Sequence, residues 1–153
     1  MDLILWRHAE AFELRELCDD LDRALTPKGE RQAQRMADWL NRQLPAGTRV
    51  LASPARRAQQ TAAALDRRVK TVPALAPDGT VDGLLAAARW PDAREPVLVI
   101  GHQPTLGLAA GYLMTGLAQP WTLRKGAFIW LRARDREGVT QVVLHASLGV
   151  DLL

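Results

Sequence analysis

Two short apolar runs, Leu3 to Trp6 and Val97 to Ile100, show no alternation of polar and apolar positions, and each ends abruptly in polar residues. Runs of this length predict strands buried on both faces. Between them the period changes. Thr26 reads as an N-cap with Pro27 as the first helical residue, and Ala33, Met36, Ala37, Leu40 and Leu44 then recur on one face while Arg31, Gln34, Arg35, Asp38 and Arg42 fall elsewhere. This is the pattern of an amphipathic helix stopped by Pro45 and Gly47. Ahead of it, the charged stretch Phe12 to Asp22 carries Leu14, Leu17 and Leu21 at a spacing that suits a short helix or an ordered loop.

Arg49 to Ser53 reads as a second strand. Ser53 and Pro54 then read as an N-cap and first-turn proline opening an Ala-rich helix to about Leu65. Val69 to Leu75 is a third strand interrupted by Pro73, and Val81 to Trp90 is a short helix broken by Pro91. After the Val97 to Ile100 strand, an apolar helix spans Leu106 to Met114. Ala127 to Leu131 and Val139 to His145, divided by a charged turn from Arg132 to Gly138, predict an edge hairpin. Strands alternating with helices imply an α/β fold: a three-layer α/β/α sandwich with a mostly parallel sheet.

Composition changes this picture little. The 153 residues suit a single domain spanning 1–153, with no linker or repeat. The one cysteine, Cys18, forms no internal disulfide and fits a reducing compartment. The N-terminal apolar run is too short and too soon charged for a signal peptide, and no stretch approaches a membrane span, so the expected location is cytoplasmic, without a membrane partner. The net charge of +3 is spread among acids rather than gathered in a tract, and the five tryptophans are not interleaved with cations, which argues against nucleic acid.

Candidate chemistry gathers where strands stop. Arg7 and His8 follow the first strand, Arg57 lies in the first turn of the helix after the second, and His102 follows Gly101 at the end of the fourth. Parallel strands deliver their carboxyl ends to one edge, so these four should share a pocket. A guanidinium fork matches phosphate oxygens, a helix N-terminus welcomes an anion, and an imidazole can attack phosphorus in line. Phosphoryl transfer through a phosphohistidine is the expected chemistry. Arg56 reads as a surface cation, and His145, with no acid or base near it in sequence, as structural.

The stretches LILWRHAEA, LTPKGERQAQRMADWL, LASPARRAQQTAAAL and VLVIGHQPTLG together resemble the histidine phosphatase superfamily, and within it the small SixA-type phosphohistidine phosphatases. The resemblance spans nearly the whole chain and implies a phosphoglycerate mutase-like fold. Arg-His-Gly of the family falls on Arg7, His8 and Ala9, which makes His8 the nucleophile and Arg7 a phosphate ligand. Ser-Pro-x-x-Arg-Ala falls on Ser53, Pro54, Arg57 and Ala58, giving Arg57 the second phosphate contact. Gly-His falls on Gly101 and His102, the second imidazole on the transferred group. The family uses no metal and no cofactor. Ala9 departs from the family glycine, which is harmless unless φ is positive there.

A second departure concerns the general acid. Larger relatives that hydrolyse phosphomonoesters carry a carboxylic acid on a longer inserted segment; here that segment is short, and Glu10 and Asp78 are the candidates. A phosphoramidate bond is already activated, so the short segment favours phosphohistidine as substrate. The expected function is hydrolysis of phosphohistidine on a partner protein, such as a signalling phosphotransfer domain, by a monomer. The alternatives are a phosphatase acting on small phosphomonoesters and, from another class, a non-catalytic phosphate-binding module.

Overall fold

The first apolar run forms β1 (Asp2–Arg7) in the computed structural model, which describes residues 1–15 and 18–153. Its neighbours explain its composition. β4 (Val97–Gly101) pairs with it in parallel on one side and β5 (Phe128–Arg136) antiparallel on the other, so Leu3, Ile4, Leu5 and Trp6 are all fully buried. With β2 (Arg49–Ala52), β3 (Val69–Thr71) and β6 (Val139–Leu148) the sheet has the order β3-β2-β4-β1-β5-β6. Among the strand pairs of the described residues, only β1–β5 and β5–β6 are antiparallel.

Residue parity assigns the two faces. Leu3, Leu5, Val97 and Val99 pack with Leu84 and Ala88 of α3 (Val81–Ala88) and with Leu106 and Ala109 of α4 (Thr105–Thr115). Ile4, Trp6, Leu98 and Ile100 turn the other way, onto Met36 and Leu40 of α1 (Pro27–Gln43) and Ala58 and Ala62 of α2 (Arg56–Ala63). The result is the three-layer sandwich the alternation implies. Burial of each large apolar side chain contributes about 1.5–3 kcal/mol. Trp6 also donates its indole N–H to Gly126 O at 2.9 Å, which satisfies the one polar group it takes inside.

The sheet order creates the crevice. The chain leaves β1 toward β2 through α1 on one face, and leaves β4 toward β5 through α4 on the other. Because β1 and β4 are adjacent, the loops at their carboxyl ends part to opposite faces and open a gap, the usual ligand position in such sheets.

Several sequence expectations are corrected. Ser53 does not cap α2: the helix starts at Arg56 behind Ala55, with no side-chain cap, so Ser53 and Pro54 belong to the turn between strand and helix. The third strand stops at Thr71, and Pro73, which has no N–H for a ladder, opens a 3-10 turn over Pro73–Leu75. α3 ends at Ala88 because Arg89 adopts the left-handed conformation, φ 56°. The hairpin turn is shorter than expected: Arg132 to Arg136 continue β5, and Glu137 (φ 55°) and Gly138 (φ 78°) alone reverse the chain. In the stretch after β1, Ala11 bridges to Leu25 and Asp20–Asp22 form a 3-10 turn, while Leu17 lies outside the described residues. Thr26 caps α1 as expected, its Oγ1 accepting from Gly29 N at 3.0 Å. Among the described residues no helix is long and apolar enough to cross a membrane.

Candidate active site

Register builds the site. Arg7 pairs with Gly101 and Ala52 with Ile100, so the residues that follow, His8, His102 and Ser53, leave three adjacent strands side by side, where strand spacing is about 4.8 Å. His8 N donates to Gly101 O at 3.1 Å and Ser53 N to Ile100 O at 3.0 Å, so both turns are pinned to β4. The rings of His8 and His102 lie 5.2 Å apart, tilted by 53°. Both are almost completely buried, as is Arg57, which α2 brings over them.

Each imidazole has one nitrogen committed and one available. His8 Nδ1 lies 2.7 Å from Ala9 O, and since a carbonyl can only accept, Nδ1 carries the proton and Nε2 keeps its lone pair. His102 Nε2 lies 2.7 Å from Ser53 Oγ. That oxygen also accepts from Ala55 N at 3.1 Å; in the tautomer where the hydroxyl donates to Nε2, the ring proton of His102 sits on Nδ1. His102 Nδ1 is buried and finds no protein partner. Ser53, a helix-cap candidate by sequence, instead belongs to the candidate site through its contact with His102.

The guanidinium groups are likewise half-used. Arg7 Nη1 donates to Leu123 O at 2.9 Å, and Arg57 Nη1 donates to Asp20 O at 2.8 Å, with Arg57 Nη2 3.1 Å from Asp20 Oδ2. The Nε of both arginines is buried without a partner. Two buried donors, Arg7 Nε and Arg57 Nε, are left open, and His102 Nδ1 joins them in the tautomer that protonates it; each would be costly unless a ligand's oxygens met it.

Electrostatics keep the nucleophile candidate neutral. Burial, reinforced by the nearby His102, Arg57 and Arg7 and only partly offset by the Ala9 carbonyl, pushes His8 down to about 3. Burial and then Arg57 lower His102 to about 4, with Asp20 acting in the opposite sense. Near neutral pH the pocket thus holds two guanidinium cations beside two uncharged imidazoles, which suits an anion and leaves Nε2 of His8 free to attack.

Neighbouring residues hold this geometry. Ala9 N donates to Thr61 Oγ1 at 3.1 Å, and Thr61 Oγ1 donates to Arg57 O at 2.7 Å, tying the turn after β1 to the helix that carries Arg57. Ala9 has no positive φ and packs fully buried against Ala11, Leu25 and Ala33, so its methyl is accommodated. The two carboxylate candidates differ. Glu10 accepts from Thr26 Oγ1 at 2.7 Å, at the cap of α1, whereas Asp78 is exposed on a turn whose next residue, Gly79, accepts from Thr105 Oγ1 at 3.1 Å. No sequence signal singles out Asp20, which lies twelve residues beyond His8 in the irregular stretch before α1, where no periodicity marks it. His145 makes none of these contacts; it is exposed on β6, with its ring 4.9 Å from Trp130.

A neutral imidazole with a free nitrogen, set among guanidinium donors at the switch point of an α/β sheet, has the makings of a phosphoryl-handling enzyme. Comparison with known proteins gives that class its family: the model of the histidine phosphatase superfamily (branch 1) matches residues 3–78, and the chain belongs to this superfamily and is a phosphatase. It falls with the SixA-like members. The phosphohistidine phosphatase SixA of Escherichia coli is 33% identical over 78% of this chain and 78% of its own length. An uncharacterized protein of Picosynechococcus is 32% identical over 100% of this chain and 95% of its own. The structure of the protein histidine phosphatase SixA complexed with tungstate superposes with a TM-score of 0.77 at 27% identity, covering 99% of both chains.

Proposed function

We propose that the chain hydrolyses phosphohistidine on a partner protein, with His8 as the nucleophile. The observation that carries this reading is the free Nε2 of a neutral His8 beside three buried nitrogens without partners, Arg7 Nε, Arg57 Nε and His102 Nδ1. In the first step the Nε2 lone pair attacks phosphorus, the P–N bond of the substrate breaks, and the departing imidazole takes a proton from solvent. Arg7, Arg57 and His102 receive the equatorial oxygens, whose charge they stabilise in the transition state. Phosphorylation at Nε2 makes the His8 ring cationic. The Ala9 carbonyl on Nδ1–H stabilises that charge. Water then attacks phospho-His8, releasing orthophosphate and restoring the neutral ring.

The substrate class rests on the leaving group. An imidazole departs more readily than an alkoxide and asks less of a positioned acid. Glu10, next to the nucleophile, is occupied with Thr26, and the segment from β3 to α3 is short, with only Asp78 offering a carboxyl group on its turn. The relative from Escherichia coli, a phosphohistidine phosphatase by name, supports the same substrate. One observation favours a second reading: the Gly79–Thr105 bond ties the Asp78 turn to the start of α4, three residues after His102, close enough in the chain for Asp78 to serve as the acid for a small phosphomonoester.

Phosphate release from a phosphohistidine-bearing protein and from para-nitrophenyl phosphate, measured side by side with detection of acid-labile phosphate on His8, separates them. Preference for the phosphoprotein with transient label on His8 is the expected outcome. Preference for the ester, abolished in Asp78→Asn, would transfer the assignment to small esters.

A further inference from the structure

Arg57 is a buried cation whose only carboxylate partner among the described residues lies outside every motif that the sequence displays. Asp20 meets it twice: Asp20 O accepts from Nη1 at 2.8 Å, and Asp20 Oδ2 lies 3.1 Å from Nη2. Asp20 is itself fixed. Its Oδ1 accepts from Arg23 Nε at 2.9 Å, Arg23 Nη1 reaches Phe12 O at 2.8 Å, and the 3-10 turn that carries it is capped by Asp19, whose Oδ1 accepts from Leu21 N at 3.0 Å. The side chain of Arg57 is 4% exposed and that of Asp20 40%, so the carboxylate reaches solvent while the guanidinium it holds is buried.

A carboxylate on a phosphate-binding arginine can play either of two parts. It can occupy the place of the phosphate, in which case the anion must displace it, or it can hold the guanidinium so that another edge meets the phosphate. A guanidinium offers five N–H groups. Asp20 takes one from each Nη, and the buried edge with Nε stays open, as do Arg7 Nε and His102 Nδ1. Carboxylate and phosphoryl oxygens can therefore bind Arg57 at the same time.

We propose that Asp20 is a positioning residue: the chain Arg23–Asp20–Arg57 aims the Nε edge of Arg57 at the phosphoryl group, and Asp20 stays in place when substrate binds. This rests on Arg57 being a phosphoryl ligand, as proposed above.

Orthophosphate, the product, is the probe. Its affinity would be measured by calorimetry for the wild type, Asp20→Ala, Asp20→Asn, Arg57→Ala and the Asp20→Ala/Arg57→Ala double variant. Asp20→Ala should weaken orthophosphate about tenfold, the size of one charge-assisted hydrogen bond. Asp20→Asn, which keeps an oxygen for Nη2, should recover part of that loss. The double variant should bind no worse than Arg57→Ala, because Asp20 acts only through Arg57. Tighter binding in Asp20→Ala would make the carboxylate a competitor of phosphate and overturn the proposal. So would unchanged binding, or additive losses in the double variant. If thermal melts show Asp20→Ala unfolded, Asp20→Asn decides by the same signs. Unchanged affinity in Arg57→Ala would instead refute the reading of the pocket itself.

Discussion

The carboxyl edge of β1, β2 and β4 and the β5–β6 hairpin belong to one sheet, and both carry histidine, yet they use it differently. His8 and His102 stand at the ends of fully buried parallel strands, each with one nitrogen hydrogen-bonded and the other open. His145 stands within exposed β6, its ring edge-on to Trp130. Burial and neighbouring guanidinium groups push the first two toward neutrality. Position at a parallel strand end, more than residue type, separates a buried imidazole with an open nitrogen from a packing one.

Removing the proposed nucleophile should show this contrast most strongly. His8→Ala is expected to abolish phosphate release from either substrate and any acid-labile label, with a far-ultraviolet spectrum like that of the wild type. Turnover above a thousandth of the wild-type rate would mean that another group attacks phosphorus. Arg57→Ala comes next. Loss of one preorganised donor to a developing oxyanion costs about 2.7–4 kcal/mol, or roughly 10²–10³ in catalytic efficiency. An effect under fivefold in kcat/KM would remove Arg57 from the transition state.

The parallel edge was legible in the sequence because several independent signals coincide there. Unalternated apolar runs mark β1 and β4, Thr26-Pro27 marks the start of α1, and the basic and imidazole residues follow the runs at once. The four site residues Arg7, His8, Arg57 and His102 could be brought together by topology alone. Ser53 and Asp20 could not. Ser-Pro before an Ala-rich stretch is a sound helix-start pattern, and only the two-residue offset of α2 turns Ser53 toward His102. Asp20 sits in a stretch without period, and what selects it is the buried charge of Arg57, a partner 37 residues away. At the hairpin, the charged run Arg132 to Gly138 reads as a loop because an edge extending beyond the core carries polar side chains on a strand backbone.

Ser53 offers an intermediate test of the comparison. Ser53→Ala removes the hydroxyl that anchors the His102 ring and leaves Nε2 buried without a partner. The ring then loses its set orientation, and kcat should fall about tenfold, with Ser53→Thr recovering activity if its hydroxyl reaches the same place. Unchanged kcat in Ser53→Ala would mean that His102 needs no such direction.

Acid titration of stability separates the two environments without turnover. In the unfolded chain an imidazole takes up its proton below about 6.5. In the folded chain His8 resists until about 3 and His102 until about 4, so the unfolded state binds more protons throughout that window. Stability contributed by the neutral rings is complete above about 6.5 and declines as pH falls. The melting temperature should therefore drop from pH 6.5 to 4, and drop less in His8→Ala, which has one such ring fewer. An equal drop in the variant would place the acid sensitivity elsewhere.

The smallest effect belongs to the hairpin. His145→Ala takes away an exposed ring that touches Trp130 edge-on at 4.9 Å, and Trp130 keeps its place in the core beside Phe128 and Ile4. An aromatic contact of this kind is worth about 0.5–1.5 kcal/mol, and exposure on β6 sets this one at the low end. The variant should melt slightly lower than the wild type and retain its turnover within about twofold on the phosphoprotein and the ester. A tenfold loss of turnover with an unchanged melting temperature would bring the hairpin edge into substrate binding, and the contrast between strand end and strand face would no longer explain which histidines do chemistry.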